Sequence, residues 1–290
     1  MSLHDLIIGP FAEFAFMRRA LVGCVALSFG AAPIGVFMML RRMSLIGDAM
    51  AHAILPGAAV GYLIAGFSLG AMTVGGLVAG FAVAVLAGVV ARTTALKEDT
   101  ALAAFYIMSL ALGVSLISAK GSNVDVLRVL FGSVLALDDP TLILMTAVSS
   151  LTLVVLALVF RPLVLEFVDS TFLASVSRWG GPIHLTFLGL AVLNLVAAFH
   201  ALGTLLAVGI MILPAASARL WTSNLTLLLA IAVSVALVSC LMGLILSYHI
   251  DMASGPAIIL VAGAAYVLSL LFGRVGGIAR HLLSRPHLEA

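Results

Sequence analysis

Nine stretches of continuous apolar residues, separated by short polar breaks, constrain this chain more than any other feature of it. An α-helix rises 1.5 Å per residue, so a run of about twenty apolar residues crosses the roughly 30 Å hydrocarbon core of a bilayer. The runs cover about residues 20–40, 48–69, 71–91, 100–119, 140–160, 183–200, 203–220, 225–247 and 255–273. They do not alternate apolar with polar residues, which excludes a membrane barrel. Hydrocarbon leaves no solvent to satisfy backbone amides, so each run must close its own hydrogen bonds as a helix. The expectation is an all-α, polytopic transmembrane helical bundle forming one domain over residues 1–290. Residues 126–137 are apolar but too short to cross, and read as an external half-helix between Asp125 and Asp138-Asp139-Pro140. The longest polar segment is 161–182.

With 63% hydrophobic and 9% charged residues, the chain is far from soluble domains, where about a quarter of residues are charged. The net charge of +2 comes without a basic cluster, so nucleic acid is excluded as a partner and membrane lipid expected. Cys24 and Cys240 lie inside apolar runs without a CxxC pair and read as small packing residues. Asp5 and Glu13 interrupt the N-terminal region, so no removable signal peptide is expected. Ten of the fourteen basic residues (Arg41, Arg42, Arg92, Lys97, Arg161, Arg178, Arg219, Arg274, Arg280 and Arg285) fall on one side when the C-terminus is cytoplasmic. Arg18, Arg19, Lys120 and Arg128 fall on the other. An odd span count places the N-terminus outside; Arg18-Arg19 argue the reverse, and that end stays open. Glycines within the runs (Gly75, Gly76, Gly80, Gly88) permit close helix approach.

Chemistry concentrates at the start of the second run. Asp48 and His52 stand four residues apart, on one face of a helix. Ionisable groups in a span usually face a cavity or a transport pathway. One oxygen and one nitrogen donor suit a divalent ion such as zinc or manganese. The alternative is an Asp capping the helix and a His satisfied by a backbone carbonyl. No GxxxxGK[ST] phosphate loop, HExxH or GxSxG occurs, so neither an ATPase nor a membrane hydrolase is encoded here.

The segment Arg41-Arg42-Met43-Ser44-Leu45-Ile46-Gly47-Asp48, with His52-Ala53 and Leu55-Pro56-Gly57, resembles the signature of zinc/manganese/iron-type ABC importer permeases. Lys97-Glu98-Asp99-Thr100-Ala101, Leu130-Phe131-Gly132-Ser133, Gly203-Thr204-Leu205-Leu206, Ile212-Leu213-Pro214-Ala215 and Ser254-Gly255-Pro256-Ala257 resemble further segments of that family, in order. The resemblance covers residues 18–273. It implies a bundle similar to cobalamin and siderophore importer permeases, in a bacterial plasma (inner) membrane. The implied partners are a second permease copy, a cytoplasmic ABC ATPase and an extracytoplasmic metal-binding protein. It implies no catalysis and no permanently bound cofactor; the metal, zinc or manganese with iron as a further option, is the cargo. Asp48 and His52 match the family's pathway pair. The segment 161–182 matches the ATPase-docking loop, with Asp169, Phe172, Leu173 and Ala174 as coupling residues. Here Arg178-Trp179-Gly180-Gly181-Pro182 is longer than the usual Ala-x-x-x-Gly spacing, which leaves the docking register open. His200, His249 and Asp251 border the outer side and are candidate vestibule ligands, with solvated loop residues as the alternative. An ion-gradient-driven secondary transporter is the rival function, but it would need more acids deep in the spans.

Overall fold

The apolar runs become helices, and the polar breaks supply their caps. The computed structural model describes residues 8–41, 43–66, 68–95, 98–119, 137–169 and 179–278, together with Phe172, Leu173, Ser175 and Ser177. Its helices are α1 (Gly9–Glu13), α2 (Ala15–Leu40), α3 (Ser44–Ala65), α4 (Leu69–Thr93), α5 (Glu98–Ala119), α6 (Asp139–Val168), α7 (Gly180–Leu202), α8 (Thr204–Arg219), α9 (Leu225–Ile250) and α10 (Ser254–Phe272). No strand occurs among the described residues. Asp138 caps α6, its Oδ1 accepting from the Thr141 amide at 3.1 Å. The Thr141 side chain and amide hold the Asp138 carboxyl below its usual range. Asn224 Oδ1 caps α9 by accepting from the amides of Thr226 and Leu227. The α7–α8 turn is made at Gly203, with φ 82°, a conformation that glycine takes at little cost.

Seven helices are long and apolar enough to span a bilayer, while the apolar part of α5 (Thr100–Gly113) and α8 are shorter. The sixteen residues of α8 are enclosed by α2, α3, α7, α9 and α10, so this helix need not match the lipid thickness. The fifth apolar run does not end near Phe160. Helix α6 continues through Arg161 and Pro162 to Val168, taking eight residues from the polar segment 161–182. Leu163 and Glu166 are buried on that extension, and their packing carries the helix past a proline that removes one ladder bond. The expected half-helix lies outside the described residues, apart from Leu137.

Helices α3, α4 and α5 pack together on one side, and α8, α9 and α10 on the other, with α2, α6 and α7 joining them. Most of α2 and α7 is buried, whereas α4, α6 and α10 expose rows such as Val74, Val78 and Phe81, or Ile143, Val154 and Leu158. Lipid is as apolar as leucine, so helices gain by close packing and by hydrogen bonds rather than by leaving water. Gly57 of α3 and Gly75 of α4 meet backbone to backbone: a Cβ on either would strike the carbonyl oxygen of the other. Gly61, one turn further along α3, repeats the contact against Ala71. Asn194 Nδ2 donates to Thr152 Oγ1 at 2.7 Å, tying α7 to α6 inside the core. Cys24 and Cys240 are unbridged and buried.

Gly57→Leu must part α3 from α4 and should cost about 1–3 kcal/mol or more. Gly88, on the same helix as Gly75, has open space where a Cβ would stand. Gly88→Ala should be neutral or stabilise by up to about 1 kcal/mol. Thermal unfolding of the two variants in detergent checks the contrast.

Candidate functional site

Asp48 and His52 stand on consecutive turns of α3, where Gly47, Ala49, Met50, Ala51, Ala53 and Ile54 are all buried. The pair is the opening in that packed surface: the Asp48 side chain is 60% exposed and that of His52 31%. His52 Nε2 lies 3.7 Å from Asp48 Oδ1. That gap is less than twice a metal–ligand distance of about 2.0–2.2 Å, so the two donors are close enough to reach one ion together. Asp48 is not the helix cap, since the N-cap position belongs to Met43.

The second wall of this opening is α5. The Tyr106 ring lies against the His52 imidazole, with centroids 6.1 Å apart and planes 27° from parallel. His52 Nδ1 is buried and has no hydrogen-bond partner among the described residues, so the ring is oriented by packing. Pro56 lacks the amide that would bind the His52 carbonyl. The next carbonyl, of Ala53, accepts a hydrogen bond from Ser109 Oγ at 3.2 Å. Gly113 leaves room for Pro56: a Cβ there would stand 2.9 Å from the proline Cα. Sequence reasoning missed these three residues. Their signal was a shared face of α5 at positions i, i+3 and i+7, which is hard to see inside an unbroken apolar run.

Among the described residues, no group of three His, Cys, Asp or Glu side chains could hold a metal. Among the described residues the pair therefore supplies two donors, short of the four to six that zinc or manganese takes. His249 does not join the pair. Its Nδ1 is hydrogen-bonding distance, 2.9 Å, from the Ile245 carbonyl of its own helix. Asp251 closes α9 in the left-handed region with φ 55°. Both sit at the Phe14 end of α2, with Tyr248 and Phe14 rings 5.7 Å apart, whereas α3 begins beyond the other end of α2. His200 lies in the last turn of α7, and its side chain is outside the described residues.

The expected coupling residues divide. Asp169 Oδ1 accepts from the Phe172 amide at 2.8 Å, and the Leu173 amide bonds the Asp169 carbonyl at 3.2 Å, forming a capped turn. That turn points Phe172 outward, at 53% exposure, and buries Leu173 at 6% in the core. Leu173 therefore offers no surface to a partner. Ala174 lies outside the described residues.

A polytopic helical bundle that opens a carboxylate and an imidazole from one of its membrane helices is a transport protein. Residues 13–273 match the ABC 3 transport family, and the chain belongs to it. It is 32% identical over 273 residues to the manganese import system permease protein ScaB of Streptococcus parasanguinis, covering 94% of this chain and 96% of that one. It is 31% identical over 280 residues to the manganese transport system membrane protein MntC of Halalkalibacterium halodurans, covering 96% and 94%. The solved structure of PsaBC from Streptococcus pneumoniae in complex with Fab superposes with TM-score 0.83 at 28% identity, covering 95% of this chain and 98% of that one. Membership of this family disfavours the ion-gradient-driven rival.

Leu173→Asp would place a carboxylate in the core and remove a packed side chain, which should destabilise by about 2–5 kcal/mol. Phe172→Asp should stay within about 0.5 kcal/mol, as exposed substitutions do. Detergent melting curves of the two neighbours separate the buried position from the exposed one.

Proposed function

We propose that this chain is the permease subunit of an ABC importer for a divalent transition metal, with manganese favoured over zinc and iron, in a bacterial plasma membrane. The observation that carries the reading is the Asp48–His52 pair, two donors close enough to share one ion and open among the buried residues Gly47, Ala49, Met50, Ala51, Ala53 and Ile54. The names of the relatives support manganese. The mixed oxygen and nitrogen donor set suits a divalent ion of either kind, manganese or zinc. Two donors, with no third among the described residues, suit a pathway site that must release its ion. They also suit a homodimer in which a second copy completes the shell. The chain has no phosphate-binding loop, so ATP hydrolysis belongs to a separate cytoplasmic subunit. Delivery belongs to an extracytoplasmic metal-binding protein. The exposed Phe172 and the Asp169-capped turn are the ATPase contact, on the side where the basic residues collect.

In cells or proteoliposomes carrying the full complex, Asp48→Asn and His52→Ala should each lower manganese accumulation. The loss should exceed the roughly 10- to 100-fold that removing an outer-shell partner costs. Complex assembly and melting temperature should hardly change, since both side chains face an opening. Normal uptake by His52→Ala would remove the pair from the pathway. The chain alone should hydrolyse no ATP, and accumulation driven by a proton gradient without an ATPase would revive the secondary-transporter reading.

A further inference from the structure

Three helix ends meet at one guanidinium. Arg41, at the C-cap of α2, places Nη1 2.7 Å from His184 Nδ1 in the first turns of α7, and Nη2 3.7 Å from Glu166 Oε1 near the end of α6. Its Cζ lies 5.1 Å from the centre of the Phe167 ring. A guanidinium can only donate, so His184 Nδ1 accepts, and the proton of the neutral ring sits on Nε2. Glu166 and His184 are both buried, at 7% and 5% exposure. Phe167, which the guanidinium faces, packs edge to face with Phe37 and Phe187.

Stability does not account for this cluster. A buried ion pair is weak evidence for stabilisation, because desolvation offsets the attraction. This one also leaves Glu166 Oε2 buried with no hydrogen-bond partner among the described residues, 2.7 Å from where a Cβ on Gly180 would stand. An Arg–carboxylate pair commonly uses both oxygens. Here one oxygen is unused, because the second Arg41 nitrogen is engaged by His184. A bidentate hold on Glu166 is therefore a second setting open to the guanidinium, beside the observed one shared with His184. Helices α6 and α7 frame the turn that begins at Asp169, and Arg41 stands seven residues before Asp48.

We propose that Arg41 is a positioning residue that transmits displacement of the turn capped by Asp169 to the start of α3, by exchanging His184 for the second oxygen of Glu166. The inference rests on the reading of that turn as the ATPase contact. It assigns to Arg41, Glu166 and His184 the coupling of hydrolysis to transport, and neither ion binding nor hydrolysis itself.

The test uses the complex reconstituted with its ATPase and binding protein, reading manganese transported per ATP hydrolysed. Arg41→Lys, whose compact ammonium lacks the planar fork that spans His184 and Glu166, and Glu166→Gln should each lower that ratio by roughly five- to tenfold, the lower end of usual coupling between sites. ATP hydrolysis should persist. His184→Asn keeps an acceptor where Nδ1 stands and should retain most of the ratio, whereas His184→Leu should lose it. An unchanged ratio in Arg41→Lys and Glu166→Gln would overturn the proposal. So would hydrolysis and transport falling together in step with a lowered melting temperature, which is the signature of a purely structural cluster. A second arm needs no cargo: hydrogen exchange at residues 47–54 should respond to ATPase docking in the wild-type chain and not in Arg41→Lys. An equal response in both would refute the tie. A wild-type complex that moves no manganese would count against the metal reading alone, with the exchange arm still deciding on Arg41.

Discussion

The absence of water between the helices governs this structure. A bilayer core neither satisfies a loose amide nor rewards one apolar surface for meeting another, so what holds the bundle is how closely backbones approach. Gly57 against Gly75, and Gly35 of α2 against the Met211 carbonyl of α8, are contacts that any side chain would prise apart. Because α3 is seized along its glycine face by α4, its remaining open stripe is narrow, and Asp48 and His52 occupy that stripe. The donor pair is positioned by residues that contribute no chemistry.

The two sets of ionisable groups in the bundle are treated in opposite ways. Asp48 and His52 lie close together yet open, with neither fully desolvated. Arg41, Glu166 and His184 are brought together at the junction of α2, α6 and α7 and screened by phenylalanine rings. An open pair can take up and release an ion cheaply. A closed cluster resists solvent and ties three helix ends through one guanidinium. On the roles proposed above, burial alone separates ion binding from coupling.

Much of the bundle was legible beforehand, because a span is written in consecutive residues. The nine runs, the Asp48–His52 spacing and the basic asymmetry all depend on neighbours along the chain. What could not be read depends on neighbours across it. Helix α6 outlasts its apolar run because Leu163 and Glu166 find a core to enter, and that core is built from α2 and α7. Phe172 and Leu173 look alike in the sequence, and only the Asp169 cap decides which of them turns outward. Tyr106, Ser109 and Gly113 were invisible for the same reason: each matters through α3, some fifty residues away. The contact of His249 Nδ1 with the Ile245 carbonyl of its own helix was likewise not legible in the sequence.

Pro56 has a mechanical consequence. The turn that carries His52 has lost a rung of its own ladder, and the adjacent Ala53 carbonyl is held from outside by Ser109. Its compliance is therefore set by α5 rather than by α3. A helix maintained in this way can flex at a single joint without unwinding, at the cost of one external hydrogen bond. The imidazole stands one turn before that joint and against the Tyr106 ring, so a tilt of α5 acts directly on the turn that carries it.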